Sequence, residues 1–251
     1  MSQRTRYFSL AVVGLVLGLG TPRATAQVVV LDDFEGSMGH FSQAPGFSGT
    51  SAGFIAANST TALDTTTPAY SGVSSLRVNI DDDPATTAAD GTAWRVRLLS
   101  GGGTPANNVS LSNNGTAFVG YWLRTTTAGL RASVLIDDGA ALERAIRTPI
   151  IADGQWHPYE WALAGGTAQW EPFAGTAPNG VIDQPTVTID AIYIDSPLTA
   201  PGADQDALFN IDAVSYNPTG SIVPVPEPST LALVGVGGLG LLARRFRRRR
   251  T

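Results

Sequence analysis

Between Val28 and Tyr216 apolar and polar positions alternate with a period of two. Leu76, Val78 and Ile80 are separated by Arg77 and Asn79, and Trp94, Val96 and Leu98 by Arg95 and Arg97. Val119, Tyr121 and Leu123 are interleaved with Gly120 and Trp122; Val134 and Ile136 follow, and Tyr159, Trp161 and Leu163 surround Glu160. Two residues is the repeat of a strand that buries one face. The runs end at turn dipeptides, Asp90-Gly91, Asn114-Gly115, Asp138-Gly139 and Asp153-Gly154, which reverse a chain tightly because glycine accepts a positive φ. No stretch shows the repeat of a long amphipathic helix. The pattern predicts an all-β domain of about ten strands, a single antiparallel β-sandwich of jelly-roll type. Val187 and Ile189 lie on one parity, Ile192 and Ile194 on the other; Phe209 and Ile211 are likewise out of step with Val214 and Tyr216, with Asp212 at the slip. Each slip predicts a β-bulge.

The two ends follow other rules. Arg4 and Arg6, the apolar stretch Phe8 to Leu19 and the small residues Ala24-Thr25-Ala26 read as a secretory signal peptide over residues 1–26, cut before Gln27. At the other end Pro226-Glu227-Pro228 precedes an apolar run, Leu231 to Ala243, and then six arginines among the last eight residues. An apolar helix followed by a basic cluster halts translocation and keeps the cluster cytoplasmic. Ser229 to Ala243 spans about 22 Å as a helix, short of a hydrocarbon core of about 30 Å, and four glycines weaken it further. The organisation expected is a signal peptide at 1–26, a sandwich domain at 27–218, a linker with the Pro-Glu-Pro motif at 219–230, and a transmembrane helix with an Arg-rich cytoplasmic tail at 231–251.

Composition narrows the chemistry. The 251 residues contain no cysteine and only two histidines, His40 and His157. All sixteen basic residues are arginine, so lysine chemistry is absent along with disulfides, thiolate nucleophiles and cysteine-ligated metals. Between Gln27 and Pro218 seven arginines face twenty carboxylates, a formal charge of −13. A domain so acidic repels nucleic acid.

The C-terminal arrangement resembles the PEP-CTERM sorting signal of Gram-negative bacteria. It implies handling by an exosortase-type membrane protease, with an inner-membrane-anchored intermediate released to the cell surface or matrix. The opening Leu31-Asp32-Asp33-Phe34-Glu35-Gly36 and closing Phe209-Asn210-Ile211-Asp212-Ala213-Val214 resemble the first and last strands of galactose-binding-like jelly rolls. Asp153-Gly154-Gln155-Trp156 and Thr188-Ile189-Asp190-Ala191-Ile192 extend the similarity to family 11 carbohydrate-binding modules.

Two sites are expected. Asp33 and Glu35 share a face of the first strand and Asp212 lies at the bulge of the last; hard oxygen donors suit Ca²⁺, and the resemblance implies a structural calcium there. For a neutral exopolysaccharide, which packs on aromatic rings and hydrogen-bonds to polar side chains, the resemblance brings Asp90, Asp137, Asp190 and Trp170 to a cleft. Trp170 falls in the loop-like stretch Gly165 to Gly175, and Trp122, on the polar parity of its strand, is a second platform. Trp94 and Trp161 are assigned to the core, and Asp81-Asp82-Asp83 to a solvated turn.

No catalytic constellation emerges. Gly49-Thr50-Ser51-Ala52-Gly53 fits G-x-S-x-G without the strand-to-helix context that such an elbow needs. Glu160 and Glu171 lack the paired spacing of glycosidase carboxylates. A non-enzymatic, exported carbohydrate-binding or matrix protein is therefore expected; a surface protein without a working cleft and a secreted glycan hydrolase are the alternatives.

Overall fold

The computed structural model describes residues 28–223. The expected signal peptide at 1–26, the Pro226-Glu227-Pro228 motif and the helix at 231–251 lie outside the described residues. Among the described residues no helix is long and apolar enough to cross a membrane.

Among the described residues thirteen strands form two antiparallel sheets. They are β1 (Val29–Asp32), β2 (Thr60–Asp64), β3 (Ser75–Ile80), β4 (Thr92–Leu99), β5 (Val109–Ser112), β6 (Phe118–Thr125) and β7 (Arg131–Asp138). There follow β8 (Ala141–Ala145), β9 (Thr148–Pro149), β10 (Trp156–Ala162), β11 (Trp170–Gly175), β12 (Thr186–Pro197) and β13 (Ala207–Asn217). Sheet A runs β10-β6-β13-β3-β2, with β1 added along β13; sheet B runs β11-β8-β7-β12-β4, with β5 and β9 pairing β12 and β7. The glycines of the four turn dipeptides all take positive φ, between 67° and 85°.

The alternation decides which side chains face inward. Leu76 and Val78 of β3, Val119 and Leu123 of β6 and Phe209 and Ile211 of β13 meet Val96 and Leu98 of β4, Val134 and Ile136 of β7 and Ile192 and Ile194 of β12 in one core. Trp94 and Trp161 lie in it as expected, and the buried Tyr121 hydroxyl crosses the sandwich to donate to the Ser133 carbonyl at 3.1 Å. At Gly120 a β-carbon would overlap the Tyr159 carbonyl of the neighbouring strand, so only glycine permits β6 and β10 to pair there.

Both register slips are present. The pairing of β12 with β7 shifts between Ile189 and Ala191, and that of β13 with β6 between Asp212 and Ser215. The second slip carries a non-glycine residue, Ala213, at φ 46°.

Three expectations need correction. The stretch Gly165 to Gly175 is a short 3-10 turn followed by strand β11, which opens with Trp170. In Asp81-Asp82-Asp83 the middle residue is buried rather than solvated: Asp82 accepts the Gln205 N–H at 2.9 Å and its own N–H donates to Asp206 at 2.8 Å. The assigned linker is in part domain. Glu160 of β10 accepts hydrogen bonds from the Ser221 hydroxyl and the Ile222 N–H at 2.7 Å, and Ile222 is buried.

Candidate functional site

The outer face of sheet B combines an apolar cluster, Leu135, Leu142, Ala191 and Tyr193, with charged side chains most of which pair with one another. Arg95 and Arg97 on β4, Arg131 on β7, Arg144 on β8 and Asp195 on β12 occupy the parity opposite the core. Asp195 is fully buried between Arg131 at 2.6 Å and Arg147 at 3.1 Å. Arg147 reaches Glu171 at 3.6 Å, Glu171 meets Arg144 at 2.8 Å, Arg144 approaches Asp90 at 4.0 Å, and Asp90 meets Arg95 at 3.2 Å. The Arg144 guanidinium also lies 5.1 Å from the Tyr193 ring centroid and 5.2 Å from that of Phe173, within cation–π range.

Asp90, Asp137 and Asp190 fall on this one face. Asp190 makes a fork with Arg97, Nε to Oδ2 at 2.8 Å and Nη2 to Oδ1 at 2.6 Å. Burial pushes the Asp190 carboxyl up, the Arg97 charge opposes, and the Asp137 charge adds to the rise. Burial also acts on Asp90, but hydrogen bonds from Thr92 and the charge of Arg95 outweigh it and hold that carboxyl below its usual range. Asp137 accepts from Asn108 Nδ2 and the Thr188 hydroxyl, both at 3.0 Å. Above Arg97 and Asp190 opens a cleft of about 200 Å³, walled by Phe47, Leu99, Pro105 and Asn108. Phe47 is 54% exposed. This is below the roughly 300–1,000 Å³ of a small-molecule cavity and suits one unit of a longer chain.

Trp170 is not at this site. Its ring is 1% exposed, packed in the core, with Nε1 donating to the Ala162 carbonyl at 2.9 Å. A ring with no open face has nothing to offer a ligand, so the platform expected there is a core residue. Trp122 lies elsewhere again, on the outer face of sheet A, stacked against Tyr70 with centroids 3.7 Å apart and planes 13° from parallel.

The carboxylates expected to hold calcium divide between two jobs. Asp33 accepts the Glu35 N–H at 3.1 Å. Glu35 accepts the N–H groups of Val73 and Ser74 at 2.8 and 3.0 Å, and Asp212 those of Tyr70 and Ser71 at 2.9 and 3.0 Å. Among the described residues no three His, Cys, Asp or Glu side chains converge to hold a metal, so the set with Asp33 is not assembled. Glu35 and Asp212 do face each other electrostatically. Burial, against three backbone hydrogen bonds, raises the Asp212 carboxyl to about 6, and the Glu35 charge contributes to the rise.

A second cleft, about 340 Å³, follows the free edge of β10 past Ile151, His157, Tyr159 and Glu160. Its polar groups are already engaged: Tyr159 accepts the Ile151 N–H, His157 pairs with Asp153, and Glu160 holds the chain after β13. Phe47, Arg97, Asn108 and Tyr70 were not singled out from the sequence. Phe47 is an aromatic in Ser/Gly-rich sequence and Arg97 has outward parity, signals that were available. Tyr70 carries no periodicity at all.

No curated protein matches the chain. Among solved structures the fold is similar to a family 11 carbohydrate-binding module of the cellulosomal cellulase Lic26A-Cel5E of Clostridium thermocellum, at 12% identity over 78% of this chain and 96% of that one, TM-score 0.40. It is also similar to TmCBM61, solved in complex with beta-1,4-galactotriose, at 11% identity over 62% and 79%, TM-score 0.32. A third similar structure, of an exo-beta-agarase, aligns at 12% identity over 76% of this chain but 25% of its own, TM-score 0.41. Residues 224–249 match the family model of the PEP-CTERM protein-sorting motif, and the chain thus carries that sorting signal at its C-terminal end.

Proposed function

We propose that this is an exported protein, sorted through its PEP-CTERM motif to the cell surface or matrix, whose β-sandwich binds a neutral exopolysaccharide without cleaving it. The motif implies an exported, membrane-anchored intermediate that an exosortase processes. The observation that carries binding is the cleft on sheet B, where an exposed Phe47 stands beside the Arg97–Asp190 fork and Asn108. An aromatic face offers apolar contact to the C–H face of a sugar, and a fixed fork offers hydroxyl partners. The formal charge of −13 favours a neutral polymer over an acidic one. Binding without cleavage is supported by the engagement of the candidate glutamates: Glu171 lies between Arg144 and Arg147, and Glu160 holds Ser221 and Ile222.

A structural calcium belongs to the same proposal on narrower grounds, through Glu35 and Asp212 alone. Its check is the melting temperature in calcium and in chelator; a rise in calcium supports it and superposed curves remove it.

The test of binding is a titration of the full chain with neutral oligosaccharides, cellohexaose and β-1,4-galactohexaose. Phe47→Ala is expected to weaken binding at the sheet B cleft about tenfold, as loss of one aromatic stack, with the melting temperature unchanged. Unaltered affinity in Phe47→Ala would remove this cleft as the site. Release of shortened products would replace the binding reading with a hydrolase.

A further inference from the structure

The segment that crosses the outer face of sheet A is held in place by an unusual share of the molecule's charge and strain. Residues 70–74 have no strand partner. Their N–H groups point instead at two carboxylates, Asp212 taking those of Tyr70 and Ser71 and Glu35 those of Val73 and Ser74. The Ser74 hydroxyl adds a bond to the Phe34 carbonyl at 2.8 Å. Gly72 takes φ +69° and leaves no room for a β-carbon beside the Glu35 carboxylate. Three non-glycine residues among the described ones have positive φ, and two of them, Phe34 at 55° and Ala213 at 46°, immediately adjoin Glu35 and Asp212. Strain of this kind persists only where surrounding structure enforces it, and it clusters at working sites.

The outcome of this arrangement is the position of one ring. Tyr70 lies flat on Trp122 at 3.7 Å and 13°. Trp122 covers one face of Tyr70, yet Tyr70 is still 39% exposed, so its opposite face is open to solvent. Around it the outer face of sheet A continues with Trp156, whose Nε1 donates to the Pro68 carbonyl at 2.9 Å, and Arg124, whose Nε donates to the Gly154 carbonyl at 2.6 Å. Trp156 pairs with Arg124 and Pro158 with Trp122 across β10 and β6. The Arg124 guanidinium meets only carbonyl oxygens, and among the described residues it makes no ion pair, unlike the five arginines of sheet B and its margin. A buried stack of this size would serve packing alone. Here the outermost ring faces water, fixed in orientation, beside a guanidinium whose charge is not taken up by a carboxylate.

We propose that the Tyr70–Trp122 stack, with Arg124 at its side, is a second saccharide-binding site, taking the apolar face of a neutral pyranose in a polysaccharide. The single flat ring matches the C–H face of one sugar, and Arg124 supplies donors to a ring hydroxyl. The domain's excess of carboxylates works against a polyanion. The site stands on its own observations and does not require the sheet B cleft. If both operate they open on opposite sides of the sandwich, and one molecule joins two polysaccharide strands, which raises retention in a matrix by avidity.

The test is calorimetric titration of the full chain, held in dodecylphosphocholine so that no detergent sugar competes, with cellohexaose and β-1,4-galactohexaose as probes. The wild type is expected to bind one of them with two sites per chain. Tyr70→Leu, which keeps apolar bulk but not the ring, should lose one site, weakening it about tenfold or more, with an unchanged melting temperature. Tyr70→Phe should retain it. Phe47→Ala should lose the other site only. Binding unaffected by Tyr70→Leu, or binding confined to polygalacturonate, overturns this inference. Loss of all binding in Tyr70→Leu with none in Phe47→Ala upholds it and removes the sheet B cleft. Absence of binding at millimolar probe overturns both.

Discussion

The two outer faces of the sandwich are built from the same alternating strands and made to behave oppositely. On sheet B five arginines are neutralised in place, and the face closes over itself until Asp195 and Tyr193 lose all contact with water. On sheet A, Arg77 and Arg124 make no ion pair among the described residues, and aromatic rings are raised into solvent. In sheet B charge serves the fold and leaves one narrow cleft beside Phe47; in sheet A two carboxylates serve to place a ring. Buried ion pairs add little net stability but are costly to break on one side, whereas an exposed ring contributes little to folding and is available to a ligand. The faces should therefore respond to mutation in different measurements.

The largest effects belong to the interior and to sheet B. Asp195→Ala leaves Arg131 and Arg147 facing a gap and is expected to cost about 3–5 kcal/mol in denaturant unfolding. Trp170→Ala should cost about 3–5 kcal/mol as a core truncation, which separates it from the glycan-binding rings. A cost below about 1 kcal/mol for either would mean that the face or the core is looser than described.

Next comes the carboxylate under the sheet A platform. Burial pushes the Asp212 carboxyl up from the ordinary aspartate range to about 6 in the folded protein. A raised carboxyl means that the folded state holds its proton more tightly than the unfolded one. Stability from this group is full below about pH 4 and declines as pH rises to about 6, by on the order of 2 kcal/mol. The measurement is unfolding in chelator between pH 4 and pH 7, and Asp212→Asn should flatten that part of the profile. An equal slope in both proteins would assign the pH dependence to other groups.

The smallest stability effects belong to the exposed residues. Phe47→Ala and Tyr70→Leu should each change unfolding free energy by less than about 0.5–1 kcal/mol while altering saccharide binding. Arg77→Gln, exposed on sheet A and distant from the stack by two strands, should change neither within about 0.5 kcal/mol.

The same contrast explains what the sequence revealed. Periodicity reports which side of a strand is buried, so the sandwich, its core tryptophans 94 and 161 and both bulges were legible from residue order. The outward placement of Asp90, Asp137 and Asp190 came from resemblance, and the structure puts them on one face with Arg95 and Arg97. Trp170 was misassigned because glycine and alanine around it mask the start of β11, where a single large ring fills the space that small neighbours leave. Tyr70 was invisible because it owes its place to the hydrogen bond its N–H donates to the Asp212 carboxylate, 142 residues away, and no local pattern encodes so distant an anchor. Of Asp33, Glu35 and Asp212, the latter two anchor residues 70–74 while Asp33 caps its own turn. That carboxylates accept backbone N–H groups there depends on loop conformation, which composition does not disclose.

The division of labour between the faces is read most directly from the indole N–H signals of the five tryptophans in a ¹⁵N spectrum of the full chain during titration with a neutral oligosaccharide. Trp94, Trp161 and Trp170 donate to the internal carbonyls of Gln205, Ile146 and Ala162, and their signals should stay fixed. Trp122 and Trp156, on the outer face of sheet A, should shift together and saturate, and Tyr70→Leu should abolish the movement. Shifts in the three core indoles, or none in Trp122 and Trp156 while the sugar binds, would contradict the account.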